Sequence, residues 1–214
     1  MEKIYAVGDI HGCLDKLKKL MDKIKPIDES DTLIFLGDYI DRGPDSKGVV
    51  ECLLELKDTL RHLVCLRGNH EEMFLDYIQR QQKNRDIYFL NGGKSTLKSY
   101  GLRTHAPLDE SALPEGHLRF FKSLLYYYET EDYIFVHAGL RCGIPLAQQD
   151  KEDLVWMRED FFSGPCEFEK TVVFGHTPFR RPFMDACRIG IDTGAVFNGT
   201  LTCLELPEKK FHQV

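Results

Sequence analysis

Three short apolar runs, Ile4 to Val7, Thr32 to Leu36 and Leu63 to Leu66, alternate in the first third of the chain with stretches whose apolar residues recur at helical spacing. Leu14, Leu17, Met21 and Ile24 fall on one helix face, as do Val49, Cys52, Leu53 and Leu56, and a third helix is predicted from Glu71 to about Gln81. This βαβαβ order implies parallel strands with helical crossovers. From about Leu118 the pattern turns strand-rich: Tyr126 to Glu129, Tyr133 to Val136, Thr171 to Phe174, Arg188 to Ile191 and Leu201 to Leu206, with little helix between the later ones. The expected architecture is α/β of the α+β kind, a pair of mixed sheets layered with helices. Asn84 to Glu115, with Gly92-Gly93, Gly101, Pro107 and Pro114, reads as a loop or small helical cap inside one domain spanning 1–214.

Five apolar runs stop in a cluster of glycine with Asp, His or Asn. These are Gly8-Asp9-Ile10-His11-Gly12, Gly37-Asp38-Tyr39-Ile40-Asp41-Arg42-Gly43, Arg67-Gly68-Asn69-His70-Glu71, His137-Ala138-Gly139 and Gly175-His176-Thr177. In open α/β sheets the ligand crevice lies beyond the carboxyl ends of the strands, so five such ends point to one convergent site. Polar turns need Gly and Asp but not this content of His and Asn.

The candidate ligands are Asp9, His11, Asp38, Asn69, His137 and His176: two carboxylates, three imidazoles and an amide oxygen, without a thiolate. Six mixed donors exceed one closed tetrahedral site and suit two borderline divalent ions, Mn, Fe or Zn, with Asp38 as the bridge. Such a pair generates hydroxide at neutral pH and clamps the oxygens of an in-line displacement at phosphorus. Asp41, three positions beyond Asp38, is placed to orient His70 as general acid to the leaving oxygen. Arg42 and Arg67 stand beside ligand clusters, where a guanidinium grips two phosphoryl oxygens.

Composition narrows the picture without changing it. A chain of 214 residues, 43% hydrophobic and 29% charged, can bury a continuous core unaided. A net charge of −6 without a basic block disfavours duplex-tracking nucleic-acid binding, and no run of eighteen apolar residues or signal-peptide core is present, so a cytoplasmic protein without membrane contact is expected. Seven cysteines without a CxxC pair read as reduced, mostly buried thiols. His62, His105, His117 and His212 lie outside the clusters and read as structural. Tyr126-Tyr127-Tyr128 reads as a strand against a core, Arg180-Arg181 as a solvated loop and Glu129 to Asp132 as a solvated turn.

The five clusters, in order, resemble the GDxHG, GDxxDRG, GNHE, HAG and GHT signature of the phosphoprotein phosphatase branch of the calcineurin-like metallophosphoesterases. The resemblance implies a β-sandwich flanked by helices and a dinuclear Mn-, Fe- or Zn-containing site that hydrolyses phosphomonoesters without a covalent enzyme intermediate. It places Asp9, His11 and Asp38 on one metal, Asp38, Asn69, His137 and His176 on the other, and Asp41 with His70 as the acid pair. Leu154 to Glu159 and Ile191 to Phe197 are similar to segments of the small bacterial and phage lambda-type serine/threonine phosphatases, which makes Arg158 a third phosphate-binding candidate. Nothing matches the SAPNYC segment of the eukaryotic members, so no regulatory subunit is expected, only a phosphoprotein or small phosphoester substrate. Symmetrical diadenosine tetraphosphate hydrolysis is the alternative within the superfamily. Those hydrolases typically read GNHD without the preceding Arg and are longer. A non-catalytic metal-binding scaffold is the alternative outside it, and a scaffold would need only the ligands, not His70, Asp41 and the arginines.

Overall fold

In the computed structural model, which describes residues 2–79, 84–104, 108–164 and 168–214, the first apolar runs form β1 (Ile4–Val7), β2 (Thr32–Phe35) and β3 (Leu63–Cys65). They alternate with α1 (Leu14–Ile24), α2 (Ser46–Thr59) and α3 (Asn69–Gln79). β1, β2 and β3 pair in parallel, as the crossover helices require. α1 buries Leu17, Leu20, Met21 and Ile24, and α2 starts where the Asp45 side chain accepts the Gly48 N–H at 2.9 Å.

The stretch 84–115 carries α4 (Arg85–Leu90), α5 (Gly93–Ser99) and a 3₁₀ turn, and α6 (Glu115–Ser123) follows it. The second half adds β4 (Tyr127–Glu129), β5 (Tyr133–Val136), α7 (Lys151–Trp156), α8 (Glu159–Ser163), β6 (Thr171–Phe174), β7 (Phe183–Met184), β8 (Arg188–Gly190), β9 (Thr202–Leu206) and β10 (Lys210–Gln213). Helices α6, α7 and α8 and strands β7 and β10 are absent from the elements that the sequence pattern predicts. β7 is two residues long and β10 reads Lys-Phe-His-Gln, so neither makes an apolar run.

The strands form two five-stranded mixed sheets: β10-β9-β1-β2-β3, antiparallel on the β10-β9-β1 side and parallel from β1 to the β3 edge, and β4-β5-β6-β8-β7, parallel at its centre and antiparallel at both edges. Side chains alternate across each strand. Ala6, Ile34 and Leu204 meet Phe135, Val173 and Ile189 between the sheets, while Tyr5, Val7, Leu33, Phe35 and Cys203 face the helices. On the far side of the second sheet, Val136, Val172 and Phe174 pack against Leu154 of α7 and Phe161 of α8. Burial on both faces is why the central strands read as unbroken apolar runs. The fold is the two-sheet, helix-flanked architecture that the sequence implies.

The minor features fall as expected, with one exception. Tyr126, Tyr127 and Tyr128 are half-buried against hydrophobic clusters, and Arg180 and Arg181 are exposed. His117 bonds the Tyr100 hydroxyl at 2.8 Å and His212 the Glu205 carboxylate at 2.7 Å, both structural contacts. His105 lies outside the described residues. The exception is the cysteines: Cys13, Cys52, Cys65 and Cys203 are free, but Cys187, just before β8, is disulfide-bonded. Spacing alone carries no record of such a pairing. No helix among the described residues is long and apolar enough to cross a membrane.

Candidate active site

The clusters converge because the parallel strands of both sheets end on the same side of the sandwich. β1 delivers Asp9 and His11, β2 delivers Asp38, Asp41 and Arg42, β3 delivers Asn69 and His70 at the start of α3, and β5 and β6 deliver His137 and His176. All the acids, imidazoles and the amide among them are buried. His11, Asp38, Asp41, Arg42 and His176 hold φ between 46° and 70°, and they are five of the seven non-glycine residues with positive φ among those described. A left-handed backbone is costly for such side chains and is concentrated here, as it is at functional sites generally.

Asp38 stands at the centre. Its Oδ2 lies 3.5 Å from His11 Nε2 and 3.9 Å from His70 Nε2, and its Oδ1 lies 3.4 Å from His137 Nε2. Two groups, His11 with Asp38 and His70, and Asp38 with His137 and His176, each bring their donor atoms within 4.8 Å of one another and could each hold a metal ion. The chemistry of the donors fits cations. His11 Nδ1 lies 2.9 Å from the Ile40 carbonyl and His137 Nδ1 2.9 Å from the Leu36 carbonyl. A carbonyl can only accept, so both rings carry their proton on Nδ1 and turn the Nε2 lone pair into the site. Asn69 Oδ1 then faces His137 Nε2 at 3.1 Å, acceptor against acceptor, a contact that a shared cation resolves. His176 Nε2 is buried without a partner. Asp9 is not in either group: its carboxylate accepts the His176 N–H at 3.1 and 3.2 Å.

The imidazoles divide by charge. Burial pushes His11 down to about 3 and His176 down to about 2, and it lowers His137 as well, against the pull of the Asp38 anion. All three stay neutral and free to donate a lone pair. His70 differs: burial opposes its charge, but Asp38 and the hydrogen-bonded Asp41 overcome it and raise its pKa. Its Nδ1 lies 2.7 Å from Asp41 Oδ2, and its Nε2 is buried without a partner. For Asp38 burial also opposes the charge, and the surrounding imidazoles, His137 foremost, reverse this and hold its carboxyl below the usual range.

The arginines are placed unequally. Arg42 contacts His11 Nε2 through Nη1 and lies over the Phe197 ring, 5.4 Å from its centroid. Arg158, between α7 and α8, is near enough to lower the pKa of His137 and His176. The Arg67 guanidinium donates to Glu72 at 3.0 Å, the Phe121 carbonyl at 3.2 Å and the Tyr126 hydroxyl at 3.3 Å, leaving its buried Nε without a partner.

Several neighbours carry no signal in the sequence pattern. Glu71, inside the third cluster, accepts the backbone N–H groups of Tyr39 at 2.8 Å, Asp38 at 2.9 Å, Gly68 at 3.0 Å and Ile40 at 3.4 Å. Burial and the Asp38 charge push this carboxyl up to about 8, and the four N–H groups pull the other way by favouring the anion. Replacing Glu71 with alanine strands four buried donors and is expected to cost about 3 kcal/mol, read as a melting midpoint lower by roughly 6–12 °C. An unchanged midpoint would refute the clamp. Asp192, after β8, is pushed up to about 6 by burial and the Asp38 charge, against the Gly194 N–H that it accepts at 2.9 Å. The Trp156 ring stands edge-on to His176, 6.0 Å between centroids.

Comparison with known proteins agrees with this geometry. The serine/threonine-protein phosphatase 1 of Salmonella typhimurium is 34% identical over 208 residues, covering 93% of this chain and 89% of that protein. The asymmetrical bis(5'-nucleosyl)-tetraphosphatase PrpE of a Geobacillus species is 28% identical over 231 residues, covering 96% and 91%. Among solved structures, a candidate diadenosine tetraphosphatase superposes with a TM-score of 0.76 at 24% identity, covering all of this chain and 93% of that one. A cold-active protein-tyrosine phosphatase of a Shewanella species does so at 0.64 and 17%, covering all of this chain and 80% of that one. At these identities the two structures speak for the fold alone. The calcineurin-like phosphoesterase model matches residues 2–198, a span that takes in all five clusters and Asp192. This chain therefore belongs to the calcineurin-like phosphoesterases, and it is an enzyme of that metal-binding hydrolase family.

Proposed function

We propose that the chain is a metal-dependent phosphomonoesterase acting on phosphoserine and phosphothreonine side chains of proteins. Asp9, His11, Asp38, Asn69, His137 and His176 would hold two divalent ions, manganese suiting these mixed imidazole, carboxylate and amide donors, with iron or zinc as alternatives. Bound there, the ions supply an activated water and positive charge against the phosphoryl oxygens. Arg42 and Arg158 grip those oxygens, joined by the partnerless Nε of Arg67. His70, its Nδ1 held by Asp41, donates the proton of Nε2 to the leaving oxygen.

The observation that carries this reading is the buried His70, its Nδ1 held 2.7 Å from Asp41 Oδ2 and its pKa raised by the Asp38 and Asp41 charges. A seryl or threonyl alkoxide is a poor leaving group that needs protonation as it departs. A nucleoside polyphosphate leaves as a stable anion at neutral pH and gains little from such an acid. The Salmonella relative, by name a serine/threonine phosphatase, points the same way. The PrpE relatives support dinucleoside tetraphosphate cleavage instead, of the asymmetrical rather than the symmetrical kind. An assay of manganese-loaded protein separates the two. Phosphate released from a phosphoserine peptide is expected to exceed nucleotide released from diadenosine tetraphosphate. Dominant release of ADP, or of ATP with AMP, would move the function to nucleotide cleavage.

A further inference from the structure

Helices α4 and α5 carry none of the residues to which the sequence pattern gives chemistry, yet two of their side chains end on Asp41. Tyr88 donates its hydroxyl to Asp41 Oδ1 at 3.0 Å, and Thr96 donates to the same oxygen at 2.5 Å. The other oxygen, Oδ2, faces His70 Nδ1 at 2.7 Å. A carboxylate with both donors of one oxygen fixed cannot turn about its own axis, so the direction of its remaining oxygen is set by the cap. The backbone of Asp41, left-handed at φ 70°, is held from the same side: its N–H reaches Thr96 Oγ1 at 2.9 Å and Ser46 Oγ at 3.1 Å. Asp41, His70, Ser46, Tyr88 and Thr96 are all buried.

The fit of the cap onto this pair is close enough to dictate its glycines. A Cβ on Gly93 would stand 2.4 Å from the Tyr88 ring, and one on Gly92, at φ 96°, would stand 2.8 Å from the Arg42 backbone. Arg42 N–H in turn donates to the Gly92 carbonyl at 3.3 Å, and the Ser95 hydroxyl to the Arg42 carbonyl at 3.1 Å. Tyr88 packs on Tyr77 and Phe74, with ring centroids 5.0 and 5.9 Å apart, and both belong to α3, the helix that begins with Asn69-His70. The cap therefore touches the acid pair from two directions, through the carboxylate and through the helix bearing the imidazole.

We propose that Tyr88 and Thr96 are positioning residues for proton donation: the α4–α5 cap fixes the Asp41 carboxylate and through it aims the His70 imidazole at the leaving oxygen. The proposal rests on the reading of His70 as general acid. It requires that losing either hydroxyl weakens protonation of the leaving group and nothing else. Tyr88→Phe keeps the packing and removes only the donor; Thr96→Val keeps the packing and removes the hydroxyl that both donates to Asp41 Oδ1 and accepts the Asp41 N–H, for which Ser46 Oγ remains at 3.1 Å, and Thr96→Ser restores it.

The test compares a phosphoserine peptide, whose alkoxide needs the proton, with p-nitrophenyl phosphate, whose phenolate leaves without it. Tyr88→Phe and Thr96→Val are each expected to lower kcat on the peptide by roughly 10- to 100-fold, the usual cost of losing an orienting hydrogen bond. KM and kcat on p-nitrophenyl phosphate should change little, and Thr96→Ser should recover the peptide activity. In a His70→Asn background the same changes should add almost nothing, since both act through one group. Equal losses on both substrates, or none on either, would overturn the proposal, whatever the stability of the variants. A leaving-group bias in His70→Asn that Tyr88→Phe lacks overturns it alone, whereas absence of the bias in His70→Asn itself overturns the acid assignment and the proposal with it.

Discussion

His70→Asn is expected to lower kcat on a phosphoserine peptide by roughly 10²- to 10⁴-fold, the range typical of a lost general acid, with metal content unchanged. The first half of that expectation comes from the proton. Burial argues against a charged imidazole at this position, but Asp38 and Asp41 together raise the pKa. The ring therefore holds its proton more tightly than a free imidazole, with Nδ1 occupied by Asp41 and Nε2 buried and partnerless. Asparagine can still donate to Asp41 but has no titratable proton to transfer. The second half comes from the competing role. His70 Nε2 lies 3.9 Å from Asp38 Oδ2 and stands in the first metal-competent group, so the ring could instead serve as a ligand. A ligand must be neutral, unlike a ring that retains its proton. Metal analysis of the variant decides: loss of an ion would make His70 a ligand and leave the leaving oxygen without its donor. The sign of the pH dependence follows from the raised pKa. Activity that depends on protonated His70 is present below that value and falls as pH rises through it, and His70→Asn should lose this basic limb.

How far the sequence reveals such detail depends on the distance over which each feature is written. Short apolar runs and helical spacing are local, and they placed β1 to β3, α1 to α3 and most of the second sheet within a few residues. The convergence of the five clusters was legible because parallel strands share one direction, so strand ends that look separate along the chain must meet. The clamp by Glu71 was not legible. An acid in the first turn of a helix looks like a partner for the helix dipole, and its four N–H donors lie up to 33 residues away. Tyr88 and Thr96 were invisible for the same reason, at separations of 47 and 55 residues from Asp41. Helices of six and seven residues carry too little periodicity to announce themselves, so 84–115 reads only as a loop or small helical cap, and nothing in the pattern shows that Gly92-Gly93 is the joint that seats it.

The second large effect is expected from Asp38→Asn, which should empty both metal positions rather than one. Asp38 is the only residue common to the two metal-competent groups among the described residues, one oxygen facing His11 and His70, the other facing His137. The amide keeps the shape and one acceptor oxygen, and it can still receive the His70 N–H that Asp38 accepts at 3.1 Å. It removes the negative charge and the second oxygen, so neither group retains the anion at its centre. A drop in affinity of at least roughly 10- to 100-fold, already usual for losing an orienting neighbour of a ligand, is expected at each position. His11→Asn supplies the contrast, because His11 belongs to one group only and its loss should spare the second ion. Equal metal content in Asp38→Asn and His11→Asn, with one ion still bound in each, would mean that Asp38 serves a single ion. Two full sites in Asp38→Asn would show that it serves as a ligand to neither. Loss of both ions in Asp38→Asn alone requires a shared carboxylate, because no independent pair of sites responds to one substitution in that way.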